Sequence, residues 1–110
     1  MQANVPLISI IIPVVNEADY IEEVLQTLQE GSSTDSIKEI LVVDGGSTDG
    51  TMDKARPWGA TVISSKKGRA AQMNYGAAYA TGEVLFFLHG DTIPPKNFDA
   101  AIQGAFQNGS

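Results

Sequence analysis

Four short apolar runs divide the chain into a regular series of segments. The first run, residues 7–15, is almost uninterrupted and rich in β-branched side chains. That composition is typical of a strand buried on both faces. Further runs at residues 40–43, 60–64 and 84–88 predict three more strands.

The segments between and after these runs predict helices. They cover residues 20–28, about 49–56, 70–80, and a stretch that begins at about residue 97. Asn16 is expected to cap the first helix, Pro57 to limit the second, and Gly82 to stop the third. The first and fourth segments carry apolar residues at helical spacing, which predicts one buried face on each.

Strands that alternate with helices predict an α/β fold. The order βαβαβαβα indicates a Rossmann-like, open, mainly parallel sheet with helices on both faces and right-handed crossovers. A chain of 110 residues is at most one domain long, and it shows no internal repeat or linker. Residues 1–110 are therefore predicted to form a single domain.

Composition narrows the class of protein. A hydrophobic content of 43% argues against disorder, and the lack of cysteine excludes a disulfide scaffold or a cysteine metal site. No apolar run approaches the ~20 residues of a membrane span, and no signal-peptide pattern opens the chain, so a cytoplasmic location is expected. The net charge of −6 disfavours nucleic acid as a partner.

The candidate chemistry follows the ends of the strands, where open parallel sheets bind their ligands. Glu17 follows the first strand, Asp44 ends the second, and Asp91 follows the fourth. These three carboxylates are expected to converge on one cleft. The alternative is that each acidic or amide residue merely forms a turn.

Common phosphate, calcium and hydrolase motifs are absent. Residues 15–17 contain no glycine, which excludes the dinucleotide fingerprint, and no P-loop sequence exists. Residues 44–49 do not match the ligand spacing of a calcium loop. Ser47 lacks both a nearby histidine and the G-x-S-x-G context of serine hydrolases.

Four stretches of the chain carry a family resemblance. Residues 9–17 read SIIIPVVNE, residues 42–51 read VVDGGSTDGT, residues 68–82 read GRAAQMNYGAAYATG, and residues 87–91 read FLHGD. In this order and spacing they resemble the nucleotide-sugar-binding, N-terminal half of family 2 glycosyltransferases, which have the GT-A fold. The GRAAQMN and LHGDT segments are similar to one branch of that family.

The resemblance implies a site for a nucleotide-sugar donor. Glu17 would lie near the base or ribose, Asp44 would accept a hydrogen bond from the base, and Asp91 would hold Mg²⁺ or Mn²⁺ at the diphosphate. Carboxylates suit both tasks, because they only accept hydrogen bonds and they bind hard cations. The full set of donor-binding residues implied is Val15, Glu17, Asp44, Gly45, Gly68, Arg69, Asn74 and His89.

The sequence departs from the family pattern in two places. His89 replaces the first Asp of the D-x-D motif, and it could ligate a metal, bond a phosphate or be structural. Met73 stands where the family often has a basic residue, and it is expected to lie in the core. Lys66, Lys67 and Arg69 could add positive charge near the diphosphate or form a solvated turn.

The function expected from the resemblance is transfer of a sugar from a nucleotide diphosphate sugar to an unknown acceptor. The acceptor-binding half and the general base would lie beyond these residues, so the chain is expected to stop before the acceptor half and no catalytic residue is named. One alternative is a sugar-phosphate nucleotidyltransferase, although that chemistry favours a Gly-rich, basic loop after the first strand. Another is a non-catalytic nucleotide-binding or dimerising module that buries an open sheet edge in a homodimer.

Overall fold

A computed structural model of the chain describes residues 7–31 and 37–90. A 3-10 turn, Arg56–Trp58, follows the second helix. The predicted helix after residue 97 lies outside the described residues. The elements in chain order are β1 (Ile8–Val14), α1 (Ile21–Gly31), β2 (Ile37–Asp44), α2 (Thr51–Ala55), β3 (Thr61–Ser64), α3 (Arg69–Tyr79) and β4 (Val84–Phe87).

The four strands form one sheet in the order β3-β2-β1-β4, and every neighbouring pair is parallel. This confirms the predicted α/β architecture. The chain moves outward from β1 to β3 and then returns to the other side of β1, so the strand order reverses between β1 and β4. Such a reversal opens a crevice at the carboxyl edge of a parallel sheet. Val14 and Asp44 are register partners, so β1 and β2 end side by side at that edge.

Strand β1 is the centre of the core, and its two faces pack against different helices. Ile11, Leu41 and Val43 form the buried cluster on the α3 side. A Cβ on Gly76 would lie 2.5 Å from Ile11 Cγ2, so glycine lets α3 approach the sheet closely. The buried cluster on the other face consists of Ile8, Ile10, Ile12, Val14, Ile21, Val24, Leu25, Leu28, Val42, Ala55 and Leu88. Each valine, leucine or isoleucine side chain in this cluster contributes about 1.5–3 kcal/mol when fully buried.

The predicted cap at Asn16 is wrong. Helix α1 begins at Ile21, and Asn16 adopts a left-handed backbone with φ of 55°. Asparagine tolerates this conformation better than most residues. Its Oδ1 accepts a hydrogen bond from the Thr48 amide instead, so the side chain joins two loops.

The starts of β2 and α2 also differ from the predicted ones. Strand β2 begins at Ile37 and not at residue 40, because it includes polar residues that precede its apolar run. These residues lie at the amino edge of the sheet. Helix α2 begins at Thr51, after Gly50 with φ of 88°.

Within the described residues, no helix is both long and apolar enough to cross a bilayer.

A polar cluster closes the amino edge of the sheet. Glu39 Oε2 accepts hydrogen bonds from Ser9 Oγ at 2.6 Å, from the Thr81 amide at 2.7 Å and from the Thr81 hydroxyl at 3.0 Å. Ser9 Oγ in turn accepts the Gly82 amide at 2.8 Å. Burial raises the pKa of Glu39, but the hydrogen bonds from Ser9 and Thr81 outweigh it and hold the pKa below the ordinary value of 4.5. We call these four residues the amino-edge cluster.

Candidate functional site

The loops that leave β1 and β2 are joined by hydrogen bonds at the carboxyl edge. The Asn16 amide donates to Ser47 Oγ at 2.8 Å, and Asn16 Oδ1 accepts the Thr48 amide at the same distance. Asp49 Oδ2 accepts the Ala18 amide at 3.1 Å. Beyond the strand ends, these hydrogen bonds between side chains and backbone amides replace the backbone hydrogen bonds of the sheet and hold the two loops together.

Asp49 and Thr51 complete this connection. The Thr51 hydroxyl donates to Asp49 Oδ1 at 2.5 Å and accepts the Glu17 amide at 3.0 Å. The Thr51 hydroxyl, the largest of the causes, lowers the pKa of the Asp49 carboxyl, because it stabilises the charged form. The second aspartate of the DGGSTDG segment therefore organises the loops and fixes the backbone of Glu17.

Asp44 is buried at the end of β2, and its two carboxylate oxygens differ. Oδ2 accepts the amides of Gly46 at 2.9 Å and Ser47 at 2.8 Å. Oδ1 is buried and finds no hydrogen-bond partner among the described residues. A buried acceptor without a donor costs about 1–3 kcal/mol. The fold therefore leaves one carboxylate oxygen that a donor on a ligand would stabilise.

A buried glutamine on α3 forms hydrogen bonds with the end of β1, with β2 next to its last residue and with the residue before α3. Gln72 is 3% exposed. Its Nε2 donates to the carbonyl oxygens of Val14 at 2.9 Å and Val43 at 2.8 Å, and its Oε1 accepts the Gly68 amide at 3.2 Å. The sequence interpretation assigned this residue no role. The available signal was a hydrogen-bonding side chain four residues before Gly76, on the face of an alanine-rich helix that packs on the sheet.

A cleft of about 220 Å³ lies where these elements meet. Four of the residues predicted for the site line it together: Val15 and Glu17 from the β1 exit, and Gly68 and Arg69 from the start of α3. The cleft thus has an acidic side chain from one wall and basic side chains from the other. Its complete lining is Pro13, Val14, Val15, Glu17, Lys67, Gly68, Arg69 and Gln72.

A second, smaller cleft of about 120 Å³ adjoins the first through Arg69 and Pro13. His89 and the half-buried Met73 line it, together with Phe87 and Leu88. The Arg69 guanidinium contacts the His89 ring, with Nη1 at 2.5 Å from Nδ1 and 2.8 Å from Nε2. The histidine that departs from the family pattern therefore lies against a cation shared by both clefts.

The remaining predicted residues take different positions. Asp44 and Gly45 are buried and line neither cleft. They lie next to Val14, which lines the larger one: Asp44 is its register partner, and the Gly45 amide donates to its carbonyl at 2.9 Å. Asn74 is exposed on α3 and lines neither of these two clefts. Asp91 lies outside the described residues.

The loop after β4 packs against two residues that line the larger cleft, Val14 and Glu17. A Cβ on Gly90 would lie 2.7 Å from Val14 Cγ1 and 3.0 Å from Glu17 Cγ. Only glycine brings the backbone this close, and Asp91 is the next residue. Over residues 7–31 and 37–90, no group of three His, Asp or Glu residues could hold a metal ion by itself.

Comparison with known proteins agrees with this architecture. The model of glycosyl transferase family 2 matches residues 9–110. Glycosyltransferase AglE of Haloferax volcanii is 36% identical over 105 residues, which cover 89% of this chain and 34% of that protein. Glucosyl-3-phosphoglycerate synthase of Mycolicibacterium smegmatis is 29% identical over 99 residues, 80% of this chain and 32% of that protein. The chain thus spans about a third of the length of the curated relatives it matches.

Two solved structures have the same fold as this chain over almost all of its length. Glucosyl-3-phosphoglycerate synthase from Mycobacterium tuberculosis, in complex with Mn²⁺, UDP and glucosyl-3-phosphoglycerate, superposes with a TM-score of 0.82 at 26% identity, over 96% of this chain and 41% of that one. The mannosyltransferase PcManGT from Pyrobaculum calidifontis, in complex with GDP-Man and Mn²⁺, also gives 0.82, at 30% identity over 97% of this chain and 33% of that one.

Proposed function

The chain belongs to glycosyl transferase family 2, and we propose that the complete protein transfers a sugar from a nucleotide diphosphate sugar to an acceptor. The cleft at the carboxyl edge would hold the nucleotide of the donor. The similar solved proteins hold UDP or GDP-Man together with Mn²⁺, which supports a donor of this class.

The observation that carries the proposal is the unpartnered oxygen of Asp44. Oδ2 is occupied by two backbone amides, whereas the buried Oδ1 has no donor among the described residues. A carboxylate only accepts hydrogen bonds. It therefore suits a base that presents a ring N–H, as uracil and guanine do, and disfavours adenine and cytosine, whose corresponding ring nitrogens are acceptors.

The opposite wall of the cleft suits the diphosphate. Lys67 and Arg69 line the cleft, and α3 begins at Arg69, so the first amides of an 11-residue helix lie at the same end. A helix N-terminus and basic side chains both favour an anion. Glu17, on the β1 side, can accept hydrogen bonds from ribose hydroxyls.

A divalent cation is the cofactor we propose. Asp91 would hold Mg²⁺ or Mn²⁺, which in proteins is commonly bound by one or two carboxylates together with substrate phosphates. The close packing of Gly90 against Glu17 supports this position, since it brings the chain to the cleft just before Asp91. The ion would stabilise charge on the departing nucleotide diphosphate.

The experiment is a calorimetric titration of the complete protein with UDP, GDP, ADP and CDP, each with and without Mn²⁺. We expect UDP or GDP to bind more tightly than ADP and CDP, with a gain from Mn²⁺ that Asp91→Ala removes. Asp44→Asn should weaken the preferred nucleotide about tenfold, because the amide places a donor where an acceptor is needed. Equal affinity for all four nucleotides, or an Asp44→Asn variant that binds like the wild type, would contradict the assignment of the base site.

A further inference from the structure

We propose that Gln72 is a positioning residue that fixes the base side and the diphosphate side of the cleft relative to each other. The inference rests on the proposed function, because it concerns how the same cleft holds its nucleotide. It is drawn from the three hydrogen bonds of one buried side chain and from the glycine packed against it.

Each hydrogen bond of Gln72 is to the residue just before a predicted site residue. Val14 precedes Val15, and Val43 precedes Asp44; their carbonyls accept from Nε2 at 2.9 and 2.8 Å. Gly68 precedes Arg69, and its amide donates to Oε1 at 3.2 Å. The amide group thus uses both of its donors and its acceptor on the ends of β1 and β2 and on the residue before α3. The β1 end and the start of α3 line the cleft, and the β2 end lies next to them through the pairing of Val14 with Asp44.

Satisfaction of buried polar groups does not by itself account for this arrangement. The Val14 carbonyl already accepts the Gly45 amide at 2.9 Å, so it would be paired without Gln72. The second hydrogen bond instead fixes where β1 ends relative to α3. A buried side chain with three well-formed bonds has one available geometry, and it imposes that geometry on its partners.

Gly45 fits against the same amide group. A Cβ at residue 45 would lie 2.8 Å from both Cδ and Oε1 of Gln72, and 3.0 Å from Val15 Cγ2. The amide of Gln72 cannot retreat without breaking its hydrogen bonds. Gln72 and Gly45 are therefore a matched pair, in which the small residue gives room for the fixed one beside Asp44.

The test compares Gln72→Met, which keeps the side-chain length and removes the hydrogen bonds, with Gln26→Met. Gln26 is exposed on α1 and bonds to Glu30, so it is a matched control away from the cleft. The complete protein is titrated calorimetrically with UDP and GDP in the presence of Mn²⁺. We expect Gln72→Met to raise Kd about tenfold with the binding stoichiometry unchanged, and Gln26→Met to leave both unchanged.

A merely structural role gives a different result. Partial unfolding lowers the stoichiometry and leaves the Kd of the folded fraction unchanged, and that outcome would overturn the inference. Gln72→Met with wild-type Kd would overturn it as well, while leaving the proposed function intact. If the wild type binds neither nucleotide, the proposed function itself fails, and this inference with it.

A second comparison, which does not use Gln72→Met, starts from Gly45. Gly45→Ala should weaken nucleotide binding, because the added methyl displaces the Gln72 amide. Gln72→Ala in the same chain removes the two closest obstructing atoms, so the double variant should bind more tightly than the product of the two single losses predicts. Independent effects of the two substitutions would contradict the matched pair.

Discussion

The two edges of the sheet carry polar clusters of opposite character. In the amino-edge cluster, Glu39 and Ser9 together accept four hydrogen bonds from neighbours in the fold. At the carboxyl edge, Asp44 is more deeply buried, with 2% of its surface exposed, yet one of its oxygens has no partner among the described residues.

This difference separates two uses of a carboxylate at a sheet edge. Glu39 is half-buried, and the chain supplies three donors to its Oε2, so the loss of this carboxylate is felt in the free energy of unfolding. A buried oxygen without a donor, such as Asp44 Oδ1, costs stability, and that cost is recovered when a ligand supplies the donor. Substitutions at the amino edge should therefore change stability without changing nucleotide affinity, and substitution of Asp44 at the carboxyl edge should change nucleotide affinity more than stability.

The largest effect is expected from Gly82→Ala at the amino edge. A Cβ there would lie 2.7 Å from the Ser9 amide nitrogen and 2.9 Å from the Leu7 carbonyl oxygen, both of which are backbone atoms that cannot easily move. We expect a loss of about 2–3 kcal/mol in the free energy of unfolding, measured by urea denaturation. Thr81→Ser keeps the hydroxyl and adds no atoms, and it should stay within about 0.5 kcal/mol of the wild type.

The Gly82→Ala variant also tests whether the two edges of the sheet are independent. The folded fraction of Gly82→Ala should bind nucleotide with a Kd within about twofold of the wild type. A tenfold change in Kd would show that the amino edge influences the cleft, and the comparison between the edges would then fail.

A smaller and pH-dependent effect is expected from Glu39→Gln. The hydrogen bonds from Ser9 and Thr81 hold the pKa of Glu39 below 4.5 in spite of burial. A lowered pKa in the folded state stabilises the fold above the unfolded value, and this contribution disappears as the pH falls through the folded value. At pH 7, Glu39→Gln should cost about 1 kcal/mol, because an amide oxygen replaces a charged acceptor.

The pH series makes this prediction specific. Urea denaturation of both proteins between pH 7 and pH 3 should show their stability difference narrowing once the pH falls below 4.5. A difference that stays constant over that range would mean that the charge on Glu39 contributes nothing to the amino-edge cluster.

The sequence was sufficient to predict the four strands, three of the helices and the parallel sheet, because apolar runs and helical spacing are local signals. Four of the residues that it predicts for donor binding, Val15, Glu17, Gly68 and Arg69, line one cleft. These residues follow strands, and the carboxyl ends of parallel strands share one edge.

Long-range hydrogen bonds were not predictable in the same way. Gln72 bonds to carbonyls 58 and 29 residues away, and backbone carbonyls leave no mark in the sequence. The residue type of Asn16 predicts a helix cap, whereas its partners in the structure are Ser47 and Thr48 in another loop. Asn16 does form a hydrogen bond with a backbone amide, as a cap residue would, but the amide that its side chain binds belongs to a distant loop and not to the following helix.

The most direct test of the central claim is an experimental structure of the complete protein with its preferred nucleoside diphosphate and Mn²⁺. We expect a ring N–H of the base about 3 Å from Asp44 Oδ1, with Oδ2 still bonded to the amides of Gly46 and Ser47. A nucleotide bound in the cleft with its base away from Asp44, and Oδ1 still without a donor, would contradict it.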